Sequence, residues 1–216
     1  MSAPLADADI TTSSARIACH PAALRAVIEV ECRGSGFTEH GGEDVPVILF
    51  EPHVFFQRSG VYPVSRDFPH LSSRRWNARL YNASGRDPED GESRQHLKLA
   101  EASALDAHYQ TGTRELRDAA HESCSWGLGQ VMGYHWRGLG YPSLEAFLDA
   151  MRESESAQLD AMLRFLDKNG LLEHLRNGDR TADSWRPLAR GYNGAGYWRH
   201  RYHERLASAY RKHGGP

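Results

Sequence analysis

Residues 26–37 read AVIEVECRGSGF, the end of an apolar helix running into a glycine-rich turn. Pro21 stands where the first turn of such a helix has no use for an N–H, and Gly34 and Gly36 end the run. At 3.6 residues per turn, Leu24, Val27, Ile28 and Glu31 share one face, because they stand at i, i+3, i+4 and i+7. Glu29 falls on the other side with Arg25. The two glutamates are therefore not equivalent. Glu29 is expected in water, and Glu31 among apolar side chains, where lost hydration disfavours the carboxylate and raises its pKa. An acid that keeps its proton near neutral pH can protonate a glycosidic oxygen. The plainer alternative is a helix-end glutamate paired with an arginine.

Around this stretch lie 216 residues, 40% hydrophobic and 25% charged, which suits a single domain over 1–216 with a proper core. A formal net charge of -2 gives no overall basic field, so no nucleic-acid partner is expected. No run is long and apolar enough to span a bilayer. The opening MSAPLADADITTSS has neither a basic n-region nor an apolar h-region. Synthesis in a reducing cytoplasm, without a signal peptide, is the expectation. Cys19, Cys32 and Cys124 are odd in number and show no C-x-x-C spacing. They read as free, mostly buried thiols rather than a disulfide framework or a zinc knuckle.

Taken in order, residues to about Asp9 read as a lead-in, and Thr11 or Thr12 as the cap of a short helix reaching Cys19. Thr38–Asp44 is polar, holds two glycines and reads as a solvent-facing loop. VPVILFEPHVFFQ (45–57) begins as a buried strand or a helical turn, and Pro52 breaks any helix through Glu51. Residues 58–91, rich in Arg, Ser, Gly, Pro and Asp, read as a flap or small irregular lobe lining a groove. From about Glu92 the pattern turns helical. Leu97, Ala100, Ala104 and Leu105 form one stripe, Arg114–His121 is a short helix, and SWGLGQVMG (125–133) is a turn leading into apolar helix. Pro142–Ser143 start the helix of Leu144, Phe147, Leu148 and Met151. Leu159, Met162, Leu163 and Leu166 mark the next, which ends at Gly170. A short segment, 171–177, stops at Gly178. Trp185–Arg190 runs into GYNGAGY, and an amphipathic helix spans 198–212. The fold class is mainly α, in α+β form: a helical bundle with a small irregular or β lobe in the first half.

Four segments, VECRGSGF, VILFEPHVFF, SCSWGLGQVMGYHW and ARGYNGAGY, together resemble the N-acetylmuramidase family found in phage endolysins. The order of helix-end glutamate, glycine-rich SWGLGQ turn and YNG turn is also similar to goose-type lysozymes and lytic transglycosylases. The resemblance covers 21–210 and implies a lysozyme-like fold that cleaves peptidoglycan after N-acetylmuramic acid, with Glu31 as the catalytic acid. Gln130 occupies the place of the glutamine in the transglycosylase GLMQ motif. There an amide can donate and accept to a sugar N-acetyl group, or simply cap a helix. Tyr192 and Asn193 match the family's YNG. They are expected to orient the acid and bond the glycan, against the alternative of a buried aromatic with an Asn turn. Trp126 is either a platform for a sugar ring or part of the core.

The second carboxylate is less sharply marked. Glu51 is the first choice, since it lies in an apolar run resembling the family, though a structural ion pair would account for it equally. Glu39, Glu43 and Asp44 are rivals nearer to water. The family commonly has Arg after the Glu51 position, where this chain has Pro52, and Cys32 stands where relatives commonly have serine. His200 and His203 stand at i, i+3 without a third ligand or HExxH, so neither a metal nor another cofactor is expected. Arg74–Arg75 and Arg199–Arg205 read as solvated faces drawn to the anionic wall. The expected partner is therefore the peptidoglycan glycan strand, met by a monomer that has no separate wall-binding domain. A lytic transglycosylase is the runner-up. An injected toxin with an immunity protein is an alternative biological setting, and a wall-binding module without catalysis is the non-enzymatic reading.

Overall fold

A computed structural model of the chain describes residues 4–31, 35–81, 93–176 and 181–216. The expectations for Cys32, for Gly34, for 82–91 and for the stop at Gly178 lie outside these residues.

Helix α1 spans Asp7–Arg16 and so begins earlier than expected. The Asp9 carboxylate accepts the Ala6 N–H at 2.8 Å, and acids in the first turn suit the positive end of the helix. Thr11 and Thr12 lie inside it. Helix α2 spans Pro21–Glu31, as the sequence indicates, with Ala23, Leu24 and Ala26 fully buried. Thr38–Asp44 is a hairpin and not a loop. Strands β1 (Phe37–His40) and β2 (Glu43–Pro46) pair antiparallel, with Glu39 opposite Asp44. Gly41 and Gly42, at φ of 61° and 76°, make the tight turn that β-branched or bulky residues would resist.

Strand β3 (Ile48–Phe50) is the buried strand. It is followed by α3 (Pro52–Arg58), with Pro52 in the first turn, where a missing N–H is harmless. The irregular stretch contributes two single turns, α4 (Val64–Asp67) and α5 (Ala78–Tyr81). Helix α6 is Arg94–Ser103, and here the expected stripe is corrected. Leu97 is exposed, while Gln95, His96, Leu99 and Ala102 face inward. The polar pair turns in to satisfy the strands: Gln95 Oε1 accepts the Phe50 N–H at 2.9 Å, and His96 Nε2 lies 3.0 Å from the Pro46 carbonyl. A buried backbone group without a partner would cost more than the displaced leucine gains.

The chain continues through α7 (Leu105–His108) and α8 (Glu115–Glu122) into SWGLGQVMG. This segment is a second hairpin, not the start of an apolar helix. Strand β4 (Cys124–Trp126) joins β5 (Val131–Met132), with β4 central in a three-stranded antiparallel sheet. A 3₁₀ stretch, Gly133–Leu139, leads to α9 (Leu144–Glu153), capped by Ser143, and then α10 (Glu155–Lys168), capped by Ser154. The short α11 (Leu172–Arg176) precedes α12 (Arg186–Asn193). The last helix, α13 (Tyr202–Lys212), is shorter than expected because Arg201 adopts φ of 51° and breaks the run. Helix α13 packs along α2. Two small sheets and a helical bundle thus share one apolar core, and the mainly α architecture stands.

Candidate active site

Glu31 is the last residue of α2, half-buried, with apolar helix behind it. Glu29, two residues back, is on the wet side: Lys212 Nζ and His213 Nε2 lie 2.9 and 2.7 Å from its Oε2. Those partners, Lys212 foremost, hold its pKa below the usual carboxylate range. Arg25, placed with Glu29 by the wheel, pairs instead with Asp7. Burial does the opposite to Glu31. Desolvation raises its pKa to about 7, against a lesser pull from an Asn193 hydrogen bond and the Arg205 charge. The plainer alternative of a helix-end ion pair does not describe it. Arg205 Nη2 donates to the Val30 carbonyl at 3.1 Å and acts on Glu31 only through space.

Asn193, at the end of α12, donates its amide to Glu31 Oε1 at 3.2 Å. Tyr192, one residue earlier, donates its hydroxyl to the Gly129 carbonyl at 2.5 Å. Its ring packs edge-on against Phe165, with centroids 5.4 Å apart. Burial and the charge of Glu31 raise the phenol well above its ordinary value, so it is a lasting donor. The YNG turn therefore couples the acid to the GLGQ turn.

That turn does not present the side chains that sequence reasoning assigned to substrate. Gln130 adopts φ of 46° and spends its amide on its own surroundings. Oε1 accepts from Ser125 Oγ at 2.8 Å, while Nε2 donates to Gly127 O at 2.9 Å and to Val47 O at 3.4 Å. It is a staple between β3 and the hairpin, not a free sugar ligand. For Trp126 the core reading applies. It is 3% exposed, donates its indole N–H to the His121 carbonyl at 3.0 Å, and lies flat on the His121 ring. No sugar ring can reach it.

Glu51 and Glu31 share no partner among the described residues. The Gly127 N–H donates to Val47 O at 2.7 Å and the Glu51 N–H to Ser123 O at 2.9 Å, so these residues stand at opposite ends of β3. Four extended residues span about 13 Å. The Glu51 carboxylate accepts the Tyr81 hydroxyl and lies 3.3 Å from His53 Nδ1, which is itself 2.8 Å from that hydroxyl. Burial raises its pKa as it does that of Glu31. Glu39, Glu43 and Asp44 all lie exposed on the β1–β2 hairpin.

Two residues missed by sequence reasoning hold these parts together. On α10, Glu155 is 5% and Gln158 1% exposed. Glu155 Oε1 accepts from Ser35 Oγ at 2.7 Å and the Gly36 N–H at 2.6 Å, and its Oε2 accepts the Leu5 N–H at 2.7 Å. Gln158 accepts the Leu128 N–H at 2.8 Å and donates to Met151 O and Gly36 O. The segment after Glu31 and the GLGQ turn are thus clamped to one helix. Gly36 and Gly127 are required here, because a Cβ on either would fall 1.9 or 2.5 Å from Gln158 side-chain atoms. The signal was available: Glu155 and Gln158 sit at i and i+3 on the same helix face as Leu159 and Met162, where a polar side chain needs partners. Among the described residues, no three His, Cys, Asp or Glu side chains gather in a way that could hold a metal.

A half-buried glutamate at a helix end is thus bonded to a YNG turn, whose tyrosine is bonded in turn to the glycine turn. The N-acetylmuramidase family model matches residues 20–214. The chain belongs to the N-acetylmuramidase family. Its members are defined by action on peptidoglycan, and the chain is accordingly a glycoside hydrolase directed at that polymer. The crystal structure of the Burkholderia AP3 phage endolysin is similar to this muramidase-family chain over 97% of this chain and 70% of that one. The TM-score is 0.75 and the sequence identity 33%. No curated protein sequence matches. No helix among the described residues is long and apolar enough to cross a membrane.

Proposed function

We propose that this chain hydrolyses the β-1,4 bond between N-acetylmuramic acid and N-acetylglucosamine, as a lysis enzyme of the phage endolysin kind. The observation carrying this reading is Glu31, an acid desolvated enough to titrate at about 7 and held by the Asn193 amide. Glu31 donates its proton to the glycosidic oxygen as the bond to the anomeric carbon breaks. The oxocarbenium-like centre is then attacked by water. Asn193 and Tyr192 position the acid, and the Tyr192 hydroxyl fixes the GLGQ backbone against which the sugar lies.

A water-activating base must be ionised where Glu31 is not. Glu51 is pushed the same way as Glu31, and its carboxylate is engaged by Tyr81 and His53. We therefore assign the base to the hairpin directly following Glu31, where Glu39 and Asp44 face each other across the strands. The test is digestion of purified sacculi by wild type and Glu31→Gln, with mass spectrometry of the products. Reducing muramic acid ends from wild type alone support the reading. Equal release by both forms overturns Glu31 as the acid, and 1,6-anhydro ends move the chain to the lytic transglycosylases.

A further inference from the structure

The small lobe built by residues 73–81 carries a feature with no contact to Glu31, Tyr192 or Asn193 among the described residues. Trp76 is 64% exposed, yet it is not a loose side chain. Its ring stacks on Tyr81, with centroids 5.6 Å apart and planes 29° from parallel, and Tyr81 is anchored through its hydroxyl to Glu51. The backbone beneath is also fixed. The Ser73 N–H donates to Pro52 O at 3.2 Å, Ser73 Oγ to Arg75 O at 2.7 Å, and the Arg79 N–H to Asn77 Oδ1 at 3.1 Å. Lys98 Nζ ties the Leu80 carbonyl from below at 2.6 Å. Beside the indole lies an open cleft of about 570 Å³ lined by Ser73, Arg74, Arg75, Trp76, Asn77 and Ala78. Arg74 and Arg75 are exposed and form no ion pair among the described residues. A fixed, solvent-facing aromatic beside two uncommitted guanidiniums is a recognition surface, not a core fragment.

We infer that this Trp76 cleft is a second binding site for peptidoglycan, outside the cleavage site, taking a pyranose face on the indole and wall carboxylates on Arg74 and Arg75. The inference rests on the proposed muramidase reading for its choice of polymer. The chemistry matches on both counts. The C–H face of a pyranose is apolar and suits an indole plane, while the lactyl and peptide carboxylates of the wall suit planar guanidinium forks. Asn77 adds an amide at the same mouth. The Tyr81–Glu51 bond gives the platform its rigidity, so little side-chain entropy is lost when a sugar settles on it.

Co-sedimentation with purified sacculi tests this, using the intact chain carrying Glu31→Gln so that binding is read without digestion. Adding Trp76→Ala, or Arg74→Ala with Arg75→Ala, should weaken retention about tenfold, the loss expected on truncating an anchor residue. Trp76→Phe should recover most of it, and the arginine pair should carry most of the salt dependence. Circular dichroism melts of each variant confirm the fold, since these side chains lie at the surface. Undiminished retention of the Trp76→Ala form overturns the inference, as does failure of Glu31→Gln itself to bind sacculi. Binding of single-stranded DNA in preference to sacculi overturns it too, by assigning the cleft to a nucleic acid. If sacculi are retained through Trp76 but wild type releases no sugar ends, the muramidase reading falls while this one stands.

Discussion

The Asn193 amide donates to Glu31 Oε1 at 3.2 Å from 162 positions further along the chain. This bond favours the charged carboxylate and holds the pKa of Glu31 below what burial alone would impose. Asn193→Ala should therefore move the alkaline limb of kcat/KM upward from its wild-type position near pH 7, while turnover at lower pH falls about tenfold as the acid loses its orientation. A pH–rate profile on soluble muropeptide oligomers reads both effects. A limb that stays put would show that Asn193 does not act on the acid.

Glu31 itself weighs against folding at neutral pH. Below about pH 4.5 it is protonated in both the folded and unfolded chain, so it contributes no penalty. As pH rises from there toward 7, only the unfolded chain releases the proton, and folded stability declines until Glu31 ionises in place. The raised pKa of about 7 against an ordinary 4.5 corresponds to about 3 kcal/mol at pH 8. Glu31→Gln should accordingly be inactive yet melt several degrees higher than wild type at pH 8, with the difference closing at pH 4. Equal melting temperatures at pH 8 would contradict the burial of this carboxyl group.

Gln158 satisfies backbone groups of three separate segments. Gln158→Leu keeps the volume and strands the Leu128 N–H and two carbonyls, a cost of about 2–4 kcal/mol. The melting temperature should drop by roughly 5–10 °C. Calorimetry decides, and a change within about 1 °C would mean that water replaces the amide without loss.

Removal of the base that activates water should cost at least about 100-fold in turnover. Glu39→Gln or Asp44→Asn is expected to show that loss. Glu51→Gln, which still accepts from Tyr81, should stay within about tenfold of wild type. Steady-state kinetics on soluble oligomers separates the two assignments, and the opposite ranking would return the role to Glu51.

The course of the molecule was legible wherever one residue face decided the outcome. Pro21, Leu24, Val27 and Glu31 mark the start and the face of α2, and Ser143 and Gly170 bound the helices between them as written. What escaped was settled by partners distant in sequence. Gln95 and His96 point inward because Phe50 and Pro46 need hydrogen-bond partners, which no helical wheel contains. The segments 37–46 and 124–132 are too short for period-2 patterning to register, so their pairing as hairpins was hidden. Of the site, Glu31, Tyr192 and Asn193 come together from two motifs. Trp126 and Gln130 each had two open readings, because a motif position does not say which way its side chain faces. Glu155 and Gln158 share the apolar face of α10, but the segments they clamp lie far away in sequence.

The surroundings of Glu31 are delivered late. Its acid rides on the second helix, but Tyr192, Asn193 and Arg205 come from the last two helices, and α13 packs directly on α2. A nascent chain still attached to the ribosome thus carries a wet, ordinary carboxylate with no bond-breaking capacity. Competence arrives only with the final turns, so a C-terminal truncation would silence the protein as completely as loss of the glutamate.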